Sequence, residues 1–97
     1  MAIRRFLVTA ALPYSNGPLH VGHIAGAYLP ADIYVRYLRS RGDDPRFVCG
    51  SDDHGVAALL GARREGVSPE EFTGRYRRLQ AESFRSLDIG DGVTFFL

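Results

Sequence analysis

Lysine is absent from these 97 residues, and all twelve basic side chains are arginines. That excludes, within this polypeptide, chemistry that a lysine amine must perform, a Schiff base or the phosphate grip of a P-loop among them. Cysteine occurs once, as Cys49, so neither an internal disulfide nor a cysteine-cluster zinc site can form, which fits a reducing compartment. No apolar run approaches the roughly 18–20 residues of a membrane span, and the start lacks a signal peptide's apolar stretch and cleavage site. A formal net charge of +1 provides no global field for a polyanionic partner. With 45% hydrophobic and 24% charged residues, the expectation is a globular, cytoplasmic chain no larger than one small domain.

What is present reads as alternating strand and helix. Ile3 to Ala11 carries Phe6, Leu7 and Val8 in a nearly continuous apolar run, the pattern of a parallel strand buried on both faces. Pro13 stops it, and Tyr14-Ser15-Asn16-Gly17-Pro18 is a loop. From about Val21 to Arg41 the period changes: Ile24, Ala27, Tyr28, Ala31, Val35 and Leu38 mark one helical face. Asp32 and Arg36 are spaced for an i,i+4 pair worth a few tenths of a kcal/mol. Pro30 should bend this helix, with its ring pressing on the carbonyl of Gly26, and Gly42 should cap its end.

Arg46 to Ser51 is the second strand candidate, and a second helix runs from about Gly55 to Glu65, stopping at Gly66. Ser68-Pro69-Glu70-Glu71 is the capping box of a third helix, with Phe72, Tyr76, Leu79, Ser83 and Leu87 as its inner face. Arg75, Arg77, Arg78 and Arg85 read as its solvated side, and Val93 to Leu97 is a candidate third strand. This order predicts a parallel α/β sheet with its crevice beyond the carboxyl ends of the strands. The loops there, Leu12 to His23 and Gly50 to Gly55, hold all three histidines.

The first loop ends in L-H-V-G-H-I at a helix start, a place where unpaired N–H groups and the helix dipole favour phosphate. Gly22 lets a ligand come close to the backbone. His20 and His23, three residues apart, can aim both imidazoles at one anion. The segment is neither a P-loop, since His23 and Ile24 stand where Lys and Ser or Thr belong, nor a G-x-G-x-x-G fingerprint. Asp53 reads as a cap of the second helix and Cys49 as packing. Ser51, Asp52 and His54 lie too close in sequence to form a triad.

Ala11 to His23, A-L-P-Y-S-N-G-P-L-H-V-G-H, closely resembles the start of the methionyl-tRNA synthetases, a family of class I aminoacyl-tRNA synthetases. His20 to His23 resembles that class's H-I-G-H signature with valine in second place. Phe47 to Gly55, F-V-C-G-S-D-D-H-G, is similar to the family's segment after its second strand. The resemblance runs from about Phe6 to Leu87. It implies that residues 1–97 are the N-terminal half of a Rossmann-like catalytic domain, with two strands, a candidate third, and about three helices. It also implies activation of methionine by ATP, bound with Mg2+, to methionyl-adenylate, followed by transfer to tRNA(Met).

Carried over residue by residue, the resemblance makes His20 and His23 catalytic. Asn16, Gly17, His20, Gly22 and His23 would bind ATP, and Leu12, Tyr14 and Asp52 would bind methionine, Asp52 through the substrate's ammonium. No metal ligand is expected in this chain; the family's zinc belongs to a region beyond it, as do its lysine-rich second signature and most tRNA contacts. A complementary C-terminal half is therefore an expected partner, and no membrane is. Two contrasting readings stand beside this one. The first is a non-catalytic nucleotide-binding or interaction module. The second is a metallohydrolase using His20 and His23 with Asp52, Asp53 and His54.

Overall fold

A computed structural model describes residues 2–90 and Phe96. Strand β1, Arg5–Thr9, pairs in parallel with β2, Asp44–Val48, with Val8 opposite Phe47. The second strand thus begins two residues earlier than its apolar pattern suggests. Pro45, which has no N–H to give, is tolerated close to the strand's first residue, and the Asp44 N–H donates to the Arg4 carbonyl at 2.9 Å.

Between the strands runs one helical column over residues 21–40. It is built from α1 (Val21–His23), a π-helical turn (Ile24–Tyr28) and α2 (Leu29–Ser40). The π turn resolves the conflict expected at Pro30. Its ring would clash with the carbonyl four residues back, and the wider turn, closed by the Leu29 N–H on the Ile24 carbonyl, lets the helix continue. At the other end Gly42, at φ 84°, closes a Schellman motif: its N–H reaches the Arg39 carbonyl and that of Asp43 the Leu38 carbonyl.

Helices α3 (Val56–Glu65) and α4 (Pro69–Ser86) form a hairpin. Ser68 starts α4 as expected, its hydroxyl accepting the Glu71 N–H at 3.1 Å. The inner face of α4 differs from the apolar stripe in the sequence. Phe72, Thr73, Gln80 and Phe84 are buried, whereas Leu79 and Leu87 are exposed. Burial goes to Gln80 because a loop of backbone carbonyls, not an apolar surface, lies against that turn.

Two small cores result. Tyr28, Val35, Phe47, Cys49, Phe84 and Ile89 make one beneath the sheet; Ala58, Ala62 and Phe72 make the other inside the α3–α4 hairpin. Helix α4 joins them, Phe72 at one end and Phe84 near the other. Both the 21–40 column and the end of α4 pack on the Phe47 side of the sheet, so β1 is not buried on both faces: Leu7, on the other side, is 72% exposed. The candidate third strand lies outside the described residues except for Phe96, which forms a parallel bridge with Cys49 and an edge contact with Phe84. Among the described residues no helix is long and apolar enough to cross a membrane.

Asp32 does more than the surface pair its spacing suggests. It is 5% exposed, accepts the Arg36 Nε–H at 2.7 Å, and accepts the Gly90 N–H at 2.8 Å. Arg36 also donates to the Asp88 carbonyl, so this pair ties Asp88 and Gly90, just after α4, back onto α2.

Candidate functional site

Both loops named from the sequence emerge at the carboxyl ends of the strands and are stitched together there. The Asp52 N–H donates to the Pro13 carbonyl at 2.8 Å, and the Ser15 N–H donates to the Asp52 carbonyl at 3.0 Å, making a parallel bridge between Tyr14 and Asp52. Tyr28, from the floor, donates its hydroxyl to the Ala11 carbonyl at 2.7 Å. Burial, and then the neighbouring Cys49 thiol, push the Tyr28 phenol up to about 12, and burial pushes that thiol up to about 11. Tyr28 therefore stays a neutral donor under the loop, and Cys49 a packing thiol, as its place in the sequence suggests.

His20 is the N-cap of α1, and His23 stands three residues on. Each ring's Nδ1 accepts the other residue's backbone N–H at 3.3 Å, a capping box made by two histidines. With Nδ1 an acceptor on both rings, Nε2 is the nitrogen left to donate on each. The rings stack with centroids 3.5 Å apart, and both residues are exposed. The arrangement presents two Nε2–H donors side by side at a helix start, with the N–H groups of Val21 and Gly22, which have no intrahelical partner, next to them. That is a geometry for holding an anion. Gly22 serves this geometry in a way its spacing alone does not show: a Cβ there would lie 2.9 Å from the His20 ring, so glycine leaves room for the imidazole.

Two clefts share Tyr14 and Asn16 as a common wall. One, of about 210 Å³, is lined by Leu12, Tyr14, Asn16, Gly17, His23 and Gln80 among others. The other, of about 310 Å³, has Tyr14, Asn16, Asp52 and His54 on its walls. The structure therefore brings Leu12, Tyr14, Asn16, Gly17 and His23 together and places Asp52 across the Tyr14–Asn16 wall from them. His20 and Gly22 line neither cleft; they stand at the helix start beside His23. Among the described residues no group of three or more His, Cys, Asp or Glu side chains is placed to hold a metal. The metal centre imagined from His20, His23, Asp52, Asp53 and His54 is not assembled.

Three residues that matter here escape the motif reading. Asp53 is no helix cap, for the N-cap of α3 is Gly55, with no side-chain cap hydrogen bond. It accepts the hydroxyls of Ser15 at 2.5 Å and Ser51 at 2.6 Å, one from each loop, and pairs with Arg77 of α4 at 3.8 Å. Burial works to raise its carboxyl, but the two serine hydroxyls, Arg77 and His54 together hold it below the usual carboxylate value. Ser15, fully buried, is the inward half of a loop whose neighbours Tyr14 and Asn16 face out. Gln80, 1% exposed, donates from Nε2 to the carbonyls of Tyr14 at 2.7 Å and Gly17 at 2.9 Å. It lies beside the apolar stripe of α4, not in it, so the sequence pattern gives no signal for it.

Residues 6–92 match the family model described as tRNA synthetases class I (M). The chain is 54% identical over 86 residues to a methionine–tRNA ligase of Flavobacterium johnsoniae, covering 89% of this chain and 12% of that protein. It is 59% identical over 85 residues to a methionine–tRNA ligase of Rubrobacter xylanophilus, covering 88% and 15%. The solved structure of Mycobacterium tuberculosis methionyl-tRNA synthetase in complex with methionyl-adenylate is similar with a TM-score of 0.90 and 28% identity, over 98% of this chain and 18% of that one. The chain thus spans 12 to 18% of the lengths of these relatives.

Proposed function

The chain belongs to the methionyl-tRNA synthetase family of class I, and on that premise we propose that it carries the ATP- and methionine-binding half of a methionine–tRNA ligase site. The observation that carries this reading is the histidine capping box: two stacked, exposed imidazoles with Nε2 left to donate at a helix start, beside a cleft lined by Leu12, Tyr14, Asn16 and Gly17. In the reaction, a methionine carboxylate oxygen attacks the α-phosphorus of ATP, the bond to the bridging oxygen breaks, and pyrophosphate leaves. The methionyl group then passes to the 3′ end of tRNA(Met).

His20 and His23 donate hydrogen bonds to phosphate oxygens as charge builds on them and move no proton themselves. Gly22 keeps the His20 ring in place, and Asn16 and Gly17 border the nucleotide. Leu12 and Tyr14 bound the methionine side, and the Asp52 carboxylate, at a strand end, attracts its ammonium. Removing one oriented donor from such a site costs about 10²–10³ in rate. Mg2+ carried by ATP would neutralise phosphate charge, and among the described residues none is assigned to zinc. The uncovered Leu7 face and the absence of lysine favour a chain that works with a complementary C-terminal half, which would supply cations for the pyrophosphate and most of the tRNA contacts. A buried, unpaired Cys49 suits the cytoplasm.

Methionine-dependent exchange of pyrophosphate into ATP tests the reading. Exchange is expected when the chain is combined with a C-terminal half from a relative. No exchange under those conditions, with ATP binding retained, would instead support a non-catalytic nucleotide-binding module.

A further inference from the structure

We infer that Gln80 is a positioning residue for the substrate loop, holding Tyr14 and Asn16 in place from behind; the inference rests on the site proposed above. The loop from Tyr14 to Gly17 is a turn whose two end carbonyls both point to one side-chain amide. Gln80 Nε2 donates to the Tyr14 carbonyl at 2.7 Å and to the Gly17 carbonyl at 2.9 Å, using both of its protons. A turn of this length ordinarily closes by a bond between its own first carbonyl and its fourth N–H. Here a helix 63 residues or more away in sequence adds a second hold on the turn.

Three further observations bear on the role. Gln80 is 1% exposed, so water does not compete for its amide. Its Oε1 is buried and has no hydrogen-bond partner among the described residues, so both of its described hydrogen bonds go through Nε2 to the loop. Turning the amide over would set Oε1 against two carbonyl oxygens, so the orientation is locked. Finally, the residues between the two tethered carbonyls divide cleanly: Ser15 is buried on Asp53, while Asn16, with Tyr14, forms the wall between both clefts. Arg77, one turn earlier on the same helix, pairs with Asp53. One face of α4 thereby holds both loops, and Gln80 is the part of it that sets the Tyr14–Gly17 turn.

Gln80→Met keeps the buried volume and removes both donors; Gln80→His keeps one ring N–H in the same place. Two quantities are read on the whole chain at a temperature where each variant is folded: exchange of the backbone amides of residues 15–17 in the free protein, and affinity for ATP and for methionine. Gln80→Met should exchange these amides at least 10-fold faster and bind both ligands at least 10-fold more weakly, with Gln80→His intermediate in both. A residue that only fills the core would lower the unfolding temperature without moving affinity in the folded protein. Unchanged loop exchange in either folded variant overturns the Gln80 inference, as does unchanged affinity despite faster exchange. Failure of the wild-type chain to bind ATP or methionine would overturn the site reading instead, and leave loop exchange to decide whether Gln80 holds the turn. If Gln80→Met does not fold, Gln80→His carries the same comparison.

Discussion

His20 and His23 cap each other: the Nδ1 of each ring accepts the other's backbone N–H at 3.3 Å, and the rings lie 3.5 Å apart. One pair of side chains therefore both starts the helix and offers its remaining nitrogens to a ligand. The two jobs separate by substitution. His20→Ala should lose the cap, costing about 1 kcal/mol of stability, and should weaken ATP binding. His20→Asp should restore the cap, since a carboxylate accepts the same N–H and suits the positive end of the helix, yet bind ATP no better than the alanine variant. Denaturant unfolding beside ATP titration of the two variants checks this.

Gly22→Ala tests whether glycine serves the ring or the ligand. A Cβ at that position would crowd His20 at 2.9 Å. The expected outcome is a shift of the His20 ring resonances in the ligand-free protein, together with weaker ATP binding. Ring resonances that stay put while affinity falls would mean that Gly22 matters for ligand approach alone.

Asp53 links the two loops and α4, and its lowered pKa gives stability a definite pH dependence. For a carboxylate depressed in the folded state, the contribution is fully present above its unfolded value near 3.9 and is lost as pH falls through the lower folded value. Asp53→Asn should therefore be less stable than wild type by about 1–2 kcal/mol at pH 7, from lost charge-assisted bonds to Ser15, Ser51 and Arg77. That difference should shrink below about pH 4. A gap that stays constant down to pH 2 would show that the charge of Asp53 is not what holds the loops.

Asp32→Ala should cost about 2–3 kcal/mol, well beyond the few tenths expected of an exposed helical pair, because it strands the buried Gly90 N–H. Asp32→Asn keeps an acceptor and should cost less than half as much. Urea denaturation of both variants is the measurement.

Much of this architecture is legible in the sequence because it is local. The period from Ile24 to Leu38 finds the helical column and Gly42 its stop, Gly66 marks the end of α3 and Ser68 the start of α4, and the H-x-G-H spacing finds the histidine pair. What is not legible depends on which distant group arrives. The apolar stripe of α4 runs through Leu79 and passes Gln80 by, and only the Tyr14 and Gly17 carbonyls explain why Gln80 is the residue buried. Asp53 looks like a cap until Ser15 and Ser51 are seen to donate to it. Leu7 belongs to an apolar run that reads as buried twice over, yet both helical layers lie on the other face. That Leu12 and Asp52 line neighbouring clefts, with Tyr14 on the walls of both, is likewise visible only once the two loops are brought together.

The central claim is that the histidine turn of this chain holds the phosphates of ATP. Calorimetric titration of ATP into the 97-residue chain, beside the chain in which both His20 and His23 are alanine, tests it most directly. Saturable one-to-one binding by wild type, weakened at least 10-fold in the double variant while the fold persists, is the predicted result. Equal affinity in the two proteins, or no saturable binding by wild type, would contradict it.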